Sequence, residues 1–145
     1  MKDRVLVIDD LALWRNIIKE ALEENYEVDT AASLKEALDL LLAADPYQVV
    51  ITDIGLSENE TNTDGIDILK AVHRHSPTTQ TIAVSGRSAV ANQQKFQEEY
   101  HALVFLDREV LFNDMDEFIA WVAKGVALSK EVDYGRINWF SDGEG

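Results

Sequence analysis

The chain has no cysteine, which removes disulfides, thiolate metal sites and cysteine nucleophiles together. That absence suits a reducing compartment, and the cytoplasm is the expected location. Basic residues are scarce as well: 13 Lys and Arg against 27 Asp and Glu leave a formal net charge of −14. So acidic a chain argues against direct binding to nucleic acid or to an anionic membrane, since both are held by cationic side chains that neutralise phosphates. Long apolar runs are missing too. None approaches the ~20 residues that cross a bilayer, and the first ten residues open on a short strand-like run, not on the charged-then-apolar pattern of a signal peptide. What is present, 145 residues of which 46% are hydrophobic, is enough for one well-cored domain and too short for two ordinary ones.

Val5-Leu6-Val7-Ile8, Val49-Val50-Ile51, Thr81-Ile82-Ala83-Val84 and Leu103-Val104-Phe105-Leu106 are short, nearly continuous apolar runs rich in β-branched residues, the pattern of strands buried on both faces. Tyr26 to Ala31 alternates more and reads as an edge strand. Between them the spacing turns helical. Leu11, Trp14, Ile18 and Leu22 share one face of a first helix ending near Asn25. Ser33 and Glu36 form a capping box ahead of Ala37, Leu38, Leu41 and Leu42, and Asp45-Pro46 closes that second helix. A third is predicted from about Ile66 to His75, stopped by Ser76-Pro77. A polar fourth is predicted over roughly 89–100. In a fifth, Met115, Phe118, Ile119, Val122 and Val126 make an apolar stripe.

Strands and helices in strict alternation predict an α/β fold, a (βα)5 flavodoxin-like, doubly wound five-stranded parallel sheet of order 2-1-3-4-5. The pattern covers residues 1–128. Residues 129–145 depart from it and read as a tail or the start of a linker, the final Asp142-Gly143-Glu144-Gly145 resembling an expression scar.

Ligands of such sheets bind beyond the carboxyl ends of the strands at the switch point. The residues at those ends are Asp9-Asp10, Asp53, Ser85 and Asp107-Arg108. Each has an ordinary reading when taken alone: an acid after a strand is as often an N-cap, and Ser85 before Gly86 or Arg108 is more often a loop or surface residue. Their convergence on one crevice is what carries chemistry. Carboxylates packed closely repel and raise one another's pKa unless a cation intervenes. Oxygen donors with no nearby His or Cys favour a hard ion such as Mg2+. Ser85 can donate a hydrogen bond to a phosphoryl group, and Arg108 can offer it a forked positive charge.

The run Val5 to Asp10, with Asp53, Asp64-Gly65, Ser85 and the end of the fifth strand, resembles the receiver domains of two-component response regulators over about residues 3–128. The resemblance implies that Asp53 accepts a phosphoryl group from a histidine kinase or phosphotransfer protein. It implies that Asp10, Asp53 and the main-chain carbonyl of Gly55 ligate Mg2+ while Asp9 assists through water. It implies that Ser85 and Phe105 are the switch residues, and that the domain is a signalling module whose chemistry is confined to its own phosphorylation and dephosphorylation. The downstream protein or output domain is unspecified, and a homodimer is compatible with the pattern. Three departures stand out. The family's Lys-Pro pair is Arg108-Glu109, the loop of residues 57–63 is long and lacks a Pro before Asp64-Gly65, and Phe105 has no hydroxyl. Without the Pro, Arg108 is expected to pair with Asp107, Glu109 or solvent until phosphate arrives. Mutual repulsion of the acids predicts that Asp53→Asn stabilises the metal-free domain.

The alternative is a receiver-like interaction module not regulated by phosphorylation, which the altered Lys-Pro position favours and the retained acids disfavour. A dehalogenase-type phosphohydrolase would space its acids Asp-x-Asp, unlike Asp9-Asp10, and a flavin protein would need a Gly/Ser/Thr-rich first loop. His73, His75 and His101 read as surface or helix-end residues. Trp14 reads as core, whereas Trp121, off its helix's apolar stripe, is the better candidate to face a partner.

Overall fold

The computed structural model describes residues 2–43, 45–54, 64–85 and 98–144, with side chains to residue 131 in the last stretch. The described elements are, in order, β1 (Asp3–Ile8), α1 (Ala12–Leu22), β2 (Tyr26–Ala31), α2 (Leu34–Ala43), β3 (Val49–Asp53), α3 (Asp64–His75), β4 (Gln80–Ser85), β5 (Val104–Asp107), α4 (Val110–Asn113) and α5 (Met115–Glu144). The strands form one parallel sheet of order β2-β1-β3-β4-β5, as the alternating pattern predicts.

Alternation along each strand sends neighbouring side chains to opposite faces, and both faces are apolar. One face presents Val5, Val7, Val49, Ile51, Ile82, Val84, Val104 and Leu106, covered by Ile18 and Leu22 of α1 and by Phe118, Val122 and Val126 of α5. The other presents Leu6, Ile8 and Val50 to Ala37 of α2 and to Ile68 and Val72 of α3. Toward β5 that second face continues as Leu69, Ala83, Ala102 and Phe105. At about 1.5–3 kcal/mol for each fully buried aliphatic side chain, these layers dominate the stability. Gly125 lets α5 approach the sheet closely, for a Cβ there would lie 2.9 Å from Val49 Cγ2.

The Ser33/Glu36 cap of α2 is present, with the Glu36 carboxylate returning to Ala32 N–H in place of Ser33 N–H. Glu36 N–H donates to Ser33 Oγ at 3.2 Å, and Ala32 N–H donates to Glu36 Oε2 at 2.5 Å.

Several expectations change. Leu11 precedes α1 and is 49% exposed, so the buried face of that helix is built on Ile18 and Leu22. Leu42 is also exposed, because it falls on the far side of α2 from Ala37. Of the helix predicted over 89–100, residues 98–100 are helical and the rest lie outside the described residues. The four-residue α4 has no sequence signal of its own. Beyond residue 128, where the apolar pattern stops, α5 runs on as helix to Glu144. Trp121 is half-buried against the core, with Lys124 Nζ 5.0 Å from its ring centroid, so it is not a free aromatic. His73 and His101 are both exposed, in line with the surface reading, and they stack on each other with ring centroids 3.8 Å apart.

Candidate functional site

Parallel register delivers the acids to one edge of the sheet. Ile8 pairs with Thr52, so the residues that follow, Asp9 and Asp53, leave adjacent strands side by side. Asp53 pairs with Val84, and Ser85 with Asp107, which brings the ends of β4 and β5 alongside. Backbone bonds fix these ends: Asp9 N–H donates to Ala31 O at 3.1 Å, Ile54 N–H to Val84 O at 2.9 Å and Arg108 N–H to Ser85 O at 2.8 Å.

Asp9, Asp10 and Asp53 each bring a carboxylate oxygen within 4.8 Å of the others. Asp9 and Asp53 are buried and Asp10 is exposed. Burial is the main reason the Asp9 carboxyl is pushed up to about 6, and the Asp53 and Asp10 charges push the same way. A hydrogen bond from Leu11 N–H, at 2.9 Å, and the Arg108 charge oppose that rise. Arg15 Nη1 donates to the Asp9 carbonyl at 2.7 Å and ties α1 to the end of β1.

A cation from the chain itself enters this cluster. Arg108 Nη2 donates to Asp53 Oδ2 and lies 3.7 Å from Asp9 Oδ2. The guanidinium carbon stands 4.9 Å from the Trp14 ring centroid, and Trp14 meets Phe112 at 5.1 Å between centroids with the rings tilted by 59°. Arg108 Nε is buried and has no hydrogen-bond partner among the described residues. The expectation that Arg108 pairs with Asp107, Glu109 or solvent is therefore corrected. Asp107 is engaged with Glu109 N–H at 2.9 Å, and the stronger field of the clustered acids draws the guanidinium inward.

Asp9, Asp10, Asp53 and Arg108 thus come together, and Ser85 is buried at the end of the neighbouring strand. Phe105 is not among the acids; it is buried in the cluster with Leu69, Ala83 and Ala102. Gly55 and the loop 57–63 lie outside the described residues. The sequence reading missed Arg15, Phe112 and the part Trp14 plays at the site. Trp14 does pack against the core, but its ring is shared with Arg108. The available signal was its place on α1, one turn past the acid pair. Three carboxylates with no His or Cys among them are a donor set that fits a hard divalent cation.

Comparison with known proteins agrees with this geometry. A family model described as the response regulator receiver domain matches residues 5–120. A putative NtrX-like response regulator of Rickettsia bellii is 36% identical over 87 residues, 59% of this chain and 18% of that protein. A response regulator receiver domain protein of Clostridium thermocellum shares 28% identity at a TM-score of 0.73, covering 90% of this chain and 98% of that one. The response regulator TrrA of Thermotoga maritima, solved with Mg2+ and BeF, shares 26% at a TM-score of 0.65, covering 83% and 97%. The chain spans only about a fifth of the curated relatives it matches.

Proposed function

This chain belongs to the response regulator receiver domain family of two-component signalling, and from that premise we propose that it is a switch that takes a phosphoryl group onto Asp53. The observation that supports this most directly is the convergence of Asp9, Asp10 and Asp53 within 4.8 Å at the carboxyl edge of the sheet, with a cation-bearing side chain against the acceptor. An isolated surface acid would have none of this.

In the proposed reaction an Asp53 carboxylate oxygen attacks the phosphorus of a phosphohistidine or small acyl phosphate. A P–O bond forms as the donor's P–N or P–O bond breaks, and the leaving group departs in line. Asp10, Asp53 and the carbonyl of Gly55 would hold Mg2+, with Asp9 acting through water; the ion supplies charge neutralisation for the transferring phosphoryl oxygens. Ser85 donates a hydrogen bond to the acyl phosphate. Arg108 turns from the carboxylate to the phosphoryl oxygens, where its planar fork bridges two of them. Phe105 reports the change by packing alone. The proposed partners are a histidine kinase or phosphotransfer protein upstream and an output partner downstream, reached from the 1–128 unit through residues 129–145.

Incubation with Mg2+ and acetyl phosphate, followed by intact mass, should yield one phosphoryl adduct that Asp53→Asn abolishes. No adduct from any donor would leave the alternative, an interaction module in which Arg108 keeps Asp53 permanently occupied.

A further inference from the structure

We propose that Trp14 is a positioning residue for Arg108: its ring seats the guanidinium inside the acid cluster and thereby sets how readily a divalent cation enters. The inference rests on the reading of this cluster as a cation site. Charge explains why Arg108 turns toward Asp53, but it does not explain where the group comes to rest. Arg108 Nε makes no hydrogen bond among the described residues, so directional bonding does not fix that side of the guanidinium. The face of the Trp14 ring does, at 4.9 Å, within the ~6 Å over which a ring attracts a cation.

Trp14 is itself held from two sides. It packs against the core layer between α1 and the sheet, and Phe112 closes on it at 5.1 Å. Arg108 lies just before the Glu109 cap of α4 and Phe112 lies within that helix, so a single short segment delivers both the cation and the brace to one ring. The seated guanidinium places a positive charge against Asp53 and 3.7 Å from Asp9, two of the three acids whose charge a divalent ion would need. Entry of the ion therefore competes with the seat, and a weaker seat means a tighter ion.

The test is Mg2+ titration by calorimetry on the wild type, Trp14→Phe, Trp14→Leu, Arg108→Ala and the double variant Trp14→Leu/Arg108→Ala. The Arg108 Nε–H signal is followed in parallel by NMR. Trp14→Leu should tighten Mg2+ binding roughly three- to thirty-fold, the range expected for loss of a cation–π contact, and Trp14→Phe should do so less. In the Arg108→Ala background, Trp14→Leu should change nothing, because the coupling needs both partners. The Nε–H signal should exchange slowly in the wild type, persist in Trp14→Phe and vanish in Trp14→Leu. An equal shift of Mg2+ affinity in both backgrounds, or equal Nε–H protection in Trp14→Leu, overturns the proposal. If no protein binds Mg2+, the cation-site reading fails by itself, and the Nε–H signal still decides whether Trp14 seats Arg108.

Discussion

Arg108 alters what removal of a single carboxylate does. Three acids alone would repel, and Asp53→Asn would then stabilise the metal-free protein. With the guanidinium on Asp53, at side-chain exposures of 19% and 2%, the same change leaves a poorly solvated cation short of its partner. We expect Asp53→Asn to cost about 1–3 kcal/mol in urea unfolding without Mg2+, and to stabilise in an Arg108→Ala background. Asp9 titrates in the opposite sense to a salt-bridged carboxylate. Its folded value of about 6 stands above the ordinary 3.8, so its contribution is fully present below pH 3.8 and is lost as pH rises through 6. Asp9→Asn should therefore gain up to about 3 kcal/mol on the wild type between pH 4 and pH 7, read from unfolding midpoints in chelator. The acids themselves were legible in the sequence, because strand ends in a parallel sheet point to one edge. The seat of Arg108 was not, because it depends on an aromatic ring from α1, far away in the chain.

Elements with chemical punctuation were read well. The Ser33/Glu36 box and the Ser76-Pro77 stop locate the start of α2 and the end of α3 within a residue or two. Ser33→Ala should lower stability by about 1 kcal/mol in thermal or urea melts. The short α4 escaped because its four residues are too few to show a period; packing of the buried Leu111 into the core holds it, and a local bond from Leu111 N–H to Arg108 O at 3.1 Å closes its start. Gly65 belongs to this scale too. A Cβ there would lie 2.7 Å from both Asp53 O and Ile54 Cα, and backbone atoms cannot yield as a flexible side chain does. Gly65→Ala should push the start of α3 off the end of β3. The expected loss is about 1–3 kcal/mol, only partly offset by the better helix propensity of Ala. Amide shifts concentrated at residues 52–54 would show that the end of β3 has moved with it.

Across the whole molecule, a net charge of −14 on 145 residues means that self-repulsion works against the compact state. Monovalent salt should raise the unfolding midpoint as the Debye length falls from ~30 Å at 0.01 M toward ~8 Å at 0.15 M. The five parallel strands were legible because apolar runs of strand length alternate with helical periods. The helical course of α5 beyond residue 128 was not, since no apolar stripe marks it. The α5 helix also has a consequence for how the protein is made. Synthesis proceeds from the amino terminus, and β5, the last strand, is complete at Asp107, before Phe118, Val122 and Val126 exist. Until those three arrive, part of one face of a finished sheet has no cover, and a nascent chain in that condition is open to aggregation and to chaperone capture. Cover for that face therefore waits on the synthesis of a single helix.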